Sequence, residues 1–299
     1  MSPGSCVVCG SDRVRLFLDD VTETFDAVAF GSSRKTVSHG RILRCDQCGF
    51  GFRQVRSTEQ EIGEAYRRMD PGIYEAEAGG RAITAARHLR LIQRRQSAGR
   101  LLDVGCASGL FLSLAAKAGW TVEGIEPSEA LHQKAALALA GKGEVHLGTL
   151  EQTKLAAGSF DAITMWDVLE HVPEPVEFLA RCQSLLKPDG RLYLNIPNLD
   201  SKEARLLGKR WPLLLAEHLN YFNRRSLTAA GQKAGLSWLH WGQRPSSFST
   251  GYILYRLAQH RIPGSALLSK AARGPLGRIT IPIYLGELCV VGARASERG

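Results

Sequence analysis

The sequence predicts an α/β protein, a doubly wound and mostly parallel seven-stranded sheet preceded by a small module built on paired cysteines. Two observations predict it. From Leu101 short apolar runs alternate with amphipathic stretches: "RLLDVG", "LFLSLAAKAG", "TVEGIEP", "SEALHQKAALALAG", "EVHLGTL", "FDAITMWD", "EPVEFLARCQSLL" and "RLYLNIP". Strands alternating with helices specify a parallel sheet covered on both faces. Ahead of them stand Cys6-x-x-Cys9-Gly and Cys45-x-x-Cys48-Gly, two knuckles whose glycines permit the tight turns that aim paired sulfurs at one point.

Residues 1–56 form the cysteine module, in which "GRILRCDQCGFGF" reads as strand, knuckle and strand. Four cysteines in two pairs make a tetrahedral structural Zn2+ site on Cys6, Cys9, Cys45 and Cys48 the first reading, with no coordination position left open. A redox pair is the rival, but it would call for a single helix-borne C-x-x-C. The odd total of seven cysteines, with Cys106, Cys182 and Cys289 scattered, argues against a disulfide framework.

Residues 57–99 read as a helical linker or lid. "STEQEIGEAYRRMD" is capped by Ser57 or Thr58 and broken by "PGIY"; "RAITAARHLRLIQRRQ" then restores helical periodicity, with Ile83, Leu89 and Ile92 on its apolar side. Arg87, Arg90, Arg94 and Arg95 line the remainder, as a solvated face or as an anion-binding patch. Residues 100–299 carry the sheet, and after it come a helix "RRSLTAAGQKAG", a strand "LSWLHWG", a less regular insertion at about 243–282, and a terminal strand "YLGELCVVGARA". The insertion is a lid or an interface. Its basic, amphipathic "GYILYRLAQHRIPGSALLSKAARGPLGR" suits an anionic membrane surface, a homodimer contact or core packing.

The net charge of +9 and pI near 9.3 favour anionic partners. The start "MSPGSCVVCG" has neither a basic nor an apolar leader region, and no apolar run approaches the roughly 18 residues of a membrane span, so a cytoplasmic location is expected.

In "LLDVGCASGLF" a diphosphate-binding loop would have glycines in the order G-x-G-x-x-G. Here Gly105 is followed by Ala107 and Leu110 at the other two places, and Asp103 would repel a dianion while welcoming an ammonium or sulfonium group. Glu126, at the end of the next strand, is placed to accept both hydroxyls of a ribose. Ser128 is the expected cap of the helix that follows.

"LLDVGCASGLFL", "VEGIEPS", "FDAITMWDVLEHVPEPVEFL", "LLKPDGRLYLNIPN" and "EHLNYFNRRSLTAAGQKAGL", in that order and spacing, resemble the class I S-adenosylmethionine-dependent methyltransferases. The nearest branch pairs that Rossmann-like core with an N-terminal zinc module and acts on sugars and other small molecules. The resemblance implies that Asp103, Gly105, Cys106, Ala107 and Gly109 cradle the methionine part of S-adenosyl-L-methionine and that Glu126 holds its ribose. "GTLE" falls where the family contacts adenine; many members have an acid at Thr149, so backbone at Leu150 is the other candidate. Trp166 sits beside the cofactor or packs in the core.

Methyl transfer is an in-line displacement, so the enzyme must align acceptor and methyl group, and a general base helps when the acceptor is a hydroxyl or an activated carbon. "WDVLEHVPEP" offers Asp167, Glu170 and His171, which share a face if "DVLEH" makes a helical turn. In related ubiquinone-pathway enzymes a similar acid-x-x-acid-His group binds a divalent cation; a purely structural role is the alternative. "EHLNYF" resembles the Glu-His pair that sugar C-methyltransferases place near the acceptor, making His218 a base oriented by Glu217, unless His218 caps the next helix. Tyr74 in "PGIYEAE" matches a tyrosine that related enzymes lay over the active site, or it packs. The expected function is methylation at oxygen or carbon of a small acceptor, such as a sugar, an anionic or nucleotide-linked sugar, or a secondary metabolite. A zinc-ribbon nucleic-acid-binding protein or RNA methyltransferase is the rival class, disfavoured because aromatic residues do not interleave with the basic ones.

Overall fold

A computed structural model describes residues 5–19, 40–54, 78–215, 217–258, 277 and 279–295. The helix expected in "STEQEIGEAYRRMD", Tyr74 and most of the second half of the insertion lie outside these residues.

The chain begins with β1 (Val14–Leu18), β2 (Ile42–Cys45) and β3 (Gly51–Arg53), then α1 (Ala78–Gln93). The alternating part follows: β4 (Arg100–Val104), α2 (Leu110–Lys117), β5 (Thr121–Glu126), α3 (Glu129–Ala138), β6 (Gly143–Leu147), β7 (Phe160–Trp166), α4 (Pro175–Leu185) and β8 (Leu186–Pro197). Beyond it lie α5 (Lys202–Leu207), β9 (Asn220–Tyr221), α6 (Arg224–Lys233), β10 (Leu236–Gly242), β11 (Ser246–Ser249), α7 (Thr250–Ala258), β12 (Thr280–Ile283) and β13 (Glu287–Arg294).

The main sheet has seven strands in the order β10-β13-β8-β7-β4-β5-β6. β4 pairs in parallel with β5 and β7, β5 with β6, and β7 with β8, whereas β13 inserts antiparallel between β8 and β10. Helices on both faces explain why β4, β7 and β8 read as nearly continuous apolar runs, with Leu101, Leu102, Ile163, Met165, Leu192 and Leu194 fully buried. The chain runs outward from β4 to β6 and then returns to β7 on the other side of β4. The crevice at the carboxyl ends of β4 and β7 is therefore the place where such sheets take ligands.

Local signals fix several boundaries. Ser128 caps α3 as expected, its hydroxyl accepting from Leu131 N at 3.4 Å. Pro175 opens α4, and Asn223 and Ser226 form a capping box at α6, so the cap there is Asn223 and not His218. α1 departs from its expected apolar side: Ala85, His88, Leu89, Leu91 and Ile92 are buried, but Ile83 is exposed. Arg87 is not a solvated cation either, because its guanidinium donates to Pro245 O at 3.1 Å and to Ser247 Oγ at 2.5 Å. The insertion is more regular than its sequence suggests, since β11 and β12 pair antiparallel and α7 follows β11 directly.

The cysteine hairpin is not an appendage. β1, β2, β3 and β9 form one antiparallel sheet, with Gly51 opposite Tyr221 and Phe52 opposite Asn220, so the "EHLNYF" segment supplies the fourth strand. A Cβ on Gly51 would lie 2.9 Å from Leu199 Cδ2 and 3.1 Å from Tyr221 Cβ, an approach only glycine allows. Phe50 packs on Phe52 and Phe222 in the same apolar cluster as the main-sheet residues Leu194 and Ile196. Asn223 Nδ2 donates to Gly49 O at 3.1 Å and Asp200 Oδ2 at 2.9 Å, and Arg44 pairs with Asp200 Oδ1 at 2.7 Å, joining knuckle and helix start.

Candidate active site

The loop after β4 is held by the next strand. Gly105 N and Cys106 N both donate to Ile125 O, at 2.9 and 3.0 Å. Gly105 has φ +73°, and a Cβ there would lie 2.8 Å from Val168 Cγ2. Ala107 is left-handed at φ 49°, a strained setting for a non-glycine residue, and is held by its N–H donating to Glu126 Oε2 at 2.8 Å. Ser128 N donates to Glu126 Oε1 at 2.9 Å, so the backbone clamps both oxygens of a carboxylate that still has lone pairs for further donors. Asp103 accepts from Thr164 Oγ1 at 2.6 Å. Burial pushes Asp103 and Glu126 up to about 7 each, against the opposing hydrogen bonds from Thr164 and from the Ser128 and Ala107 amides.

Other expected cofactor contacts divide. Gly109 starts α2 at φ 75°, in the turn where the resemblance places it. Cys106 buries its sulfur against Gly124, where a Cβ would come within 2.7 Å of Sγ, so its side chain packs the core. Thr149 N is engaged by Gln152 Oε1 at 3.1 Å, while Leu150 is buried and both residues line the cavity. Trp166 stacks on His88, with ring centroids 3.9 Å apart, and meets Phe111 edge-on at 5.5 Å; its indole N–H is buried without a partner. His88 was absent from the expectations, although a single histidine among the apolar residues of α1 was a usable signal. Burial, with Arg244 and Arg87 nearby, pushes it down to about 3, so it is a neutral ring under Trp166.

One cavity of about 790 Å³ runs from this loop to the second set of residues. Leu169–His171 form a single 3-10 turn, and Asp167 lies before it at φ 58°. Asp167 therefore does not share the face of Glu170 and His171; it turns to Asn195, whose Nδ2 donates to Asp167 Oδ1 at 2.9 Å. His218 takes the vacated place beside His171, with ring centroids 4.9 Å apart.

Both imidazoles are set by main-chain carbonyls. His171 Nδ1 lies 3.0 Å from Glu217 O, and His218 Nδ1 lies 3.0 Å from Leu213 O. A carbonyl only accepts, so each Nδ1 carries the proton and each Nε2 carries a lone pair. Glu217 thus orients His171 through its backbone, and Leu213, not the Glu217 carboxylate, orients His218. Burial pushes His171 down to about 4 and His218 well below the usual histidine range. The Glu217 carboxylate instead acts on Arg53 of the cysteine module, whose charge it favours.

Glu170, His171 and His218 each offer a ligand atom within 4.8 Å of the others, and Glu170 Oε2 is buried without a partner. Burial first, then the charges of Asp167, Glu287 and Glu217, push the Glu170 carboxyl well up. This donor set fits a divalent cation. It is not the acid-x-x-acid-His set expected from sequence, because Asp167 is turned away. The four module cysteines also converge within 4.8 Å, with Cys6 Sγ to Cys48 Sγ 3.6 Å and Cys9 Sγ to Cys45 Sγ 3.5 Å. A tetrahedral zinc with Zn–S of about 2.3 Å needs sulfurs roughly 3.8 Å apart, so these four fit the ion.

A family model described as "Methyltransferase domain" matches residues 76–240. The chain belongs to this family. Among curated relatives, the "Ubiquinone biosynthesis O-methyltransferase" of Xanthomonas campestris pv. campestris (strain B100) is 41% identical over 103 residues, covering 33% of this chain and 43% of that protein. The protein of the same name from Actinobacillus pleuropneumoniae serotype 5b is 32% identical over 170 residues, covering 51% and 71%. The chain thus spans less than half the length of the first of these relatives. The solved YcgJ protein from Bacillus subtilis superposes with a TM-score of 0.50 at 17% identity over 71% of this chain and 99% of that one, a likeness of fold. The architecture of the methyltransferase-domain chain is accordingly the Rossmann-like methyltransferase fold. No helix among the described residues is long and apolar enough to cross a membrane.

Proposed function

We propose that this chain transfers the methyl group of S-adenosyl-L-methionine to an oxygen of a small-molecule acceptor. The observation that carries the reading is one cavity joining the clamped Glu126 and buried Asp103 to the paired imidazoles of His171 and His218. Asp103 supplies negative charge for a cationic cofactor, Glu126 accepts its ribose hydroxyls, and the Gly105 loop lets the ligand approach the backbone. The acceptor enters over His171 and His218, and one of their Nε2 atoms takes the hydroxyl proton as the oxygen attacks the methyl carbon in line. Burial keeps both imidazoles unprotonated but also lowers their basicity, so the proton moves only as the oxygen attacks. The name these relatives share favours oxygen as the methylated atom and gives no support to a sugar acceptor.

The unpartnered Glu170 Oε2 favours a second arrangement, in which Glu170, His171 and His218 hold a divalent cation. Such an ion would supply Lewis acidity to an acceptor oxygen. In the cysteine module, Cys6, Cys9, Cys45 and Cys48 would hold a structural zinc that closes the knuckles.

Calorimetry with S-adenosylmethionine and S-adenosylhomocysteine tests the cofactor reading, which fails if neither binds. His218→Ala and His171→Ala are expected to lower kcat by roughly a hundredfold or more with cofactor affinity unchanged. Dialysis against a chelator that leaves the zinc content intact separates the two arrangements. Activity lost and restored by Mg2+ supports the ion, and undiminished activity supports the histidine base.

A further inference from the structure

Beside the histidines, the acceptor end of the cavity holds a polar cluster. Asn195 Nδ2 donates both to Asp167 Oδ1 and to Glu287 Oε1, at 2.9 Å each, and Ser246 Oγ donates to Glu287 Oε2 at 3.1 Å. The four residues come from the turn after β7, from β8, from β13 and from β11, so the fold has to be complete before they meet. Asp167 is kept in its left-handed conformation by its N–H, which donates to Asn195 O at 3.1 Å. Asp167, Glu287 and Ser246 all line the cavity.

Asn195 is 2% exposed, and its side-chain carbonyl oxygen is buried without a partner. Neither carboxyl is hydrogen-bonded to it; Glu287, raised to about 8, keeps a proton at neutral pH, and Arg81 favours the Asp167 anion. The charged groups that act on the pair are Arg81 on α1, which favours the Asp167 anion, and Glu170, whose carboxyl both acids push up. Burial raises Asp167, and burial with the Asp167 charge raises Glu287 to about 8. A second anion in this space would meet carboxyl groups already crowded together. The chain's net charge of +9 therefore says nothing about this end of the cavity.

We propose that Asp167 and Glu287, held in place by Asn195, form an acceptor subsite for a hydrogen-bond-donating head group that carries no negative charge, a hydroxyl or an ammonium. The proposal rests on the methyl-transfer reading. A hydroxyl or ammonium would donate to the Asp167 and Glu287 carboxyls, while Phe248, Tyr252 and Leu285 offer an apolar wall to the rest of the molecule. A carboxylate or a phosphate, and hence a nucleotide-linked acceptor entering by its phosphates, is turned away here.

The test uses benzylamine, benzyl alcohol and benzoate, three probes of one shape and three charge states, titrated by NMR into the 299-residue chain with and without saturating S-adenosylhomocysteine. Benzylamine and benzyl alcohol are expected to bind roughly tenfold or more tightly than benzoate, and that preference should fall to within about threefold in Asp167→Asn and in Glu287→Gln. The two variants are first matched to the parent protein for folding by circular dichroism. Benzoate binding as tightly as benzylamine, an unchanged order of affinities in both folded variants, or no binding of any probe overturns the subsite. Failure of S-adenosylhomocysteine to bind overturns the methyl-transfer reading instead, and the titrations without it still report on the subsite.

Discussion

Cofactor affinity is expected to rise with pH across neutrality. Burial pushes Asp103 and Glu126 up to about 7 in the free protein, against ordinary values near 4. The sign follows from that direction. Each group holds its proton more tightly folded than unfolded, so the free protein loses stability as pH climbs from about 4 to about 7, and the loss is complete above that. A cationic ligand, and ribose hydroxyls that donate, favour the ionised forms, so binding opposes this loss and releases protons. A group with a pKa of about 7 is roughly 9% ionised at pH 6 and roughly 91% at pH 8, so one required carboxylate makes binding about tenfold weaker at pH 6, and two make it about a hundredfold weaker. Calorimetry at three pH values in buffers of different ionisation enthalpy measures both the affinity and the protons released. Thr164→Val adds a control: it deletes the 2.6 Å bond that opposes the upward shift of Asp103, so the midpoint should move to higher pH. An affinity flat within twofold from pH 6 to pH 8, without proton release, would refute the assignment of these two acids.

Three more outcomes are expected. Glu126→Ala removes the acceptor for the Ala107 and Ser128 amides and should weaken S-adenosylmethionine binding roughly tenfold to hundredfold, about 1.5–3 kcal/mol, measured by calorimetry. Elemental analysis should find zinc in the cysteine module at one ion per chain, and chelation should unfold that module by circular dichroism; a metal-free chain with the module intact contradicts the site. Gly51→Val places a side chain against Leu199 and Tyr221, so overpacking of about 1–3 kcal/mol should lower the thermal midpoint by several degrees in calorimetric scans.

The parallel core was legible because its strands and helices differ in hydrophobic period, and local chemistry placed the Ser128 cap and the glycine loop. Convergence across distant segments was not legible. That His218 rather than Asp167 stands beside His171 depends on the left-handed turn at Asp167 and on the Leu213 carbonyl, neither of which follows from the spacing of "DVLEH". β9 is only two residues long, too short to carry a periodic signal, yet it fixes where the cysteine module lies. Asn195 in "LYLNIP" and Glu287 in "GELCVV" did leave a trace, each a polar residue within a buried stretch of strand, which is costly unless partnered.

The shared sheet has a consequence for anyone who wishes to cut this chain. β9 belongs to the cysteine sheet by its hydrogen bonds and to the cavity wall by the nearby His218. Removing the first 56 residues would bare the ladder edge of Asn220 and Tyr221 and uncover Phe222, now 1% exposed. A methyltransferase domain trimmed at the apparent module boundary would carry a sticky edge two residues from the cavity-lining His218, so shuffling heads among related chains has to exchange β9 together with the hairpin it completes.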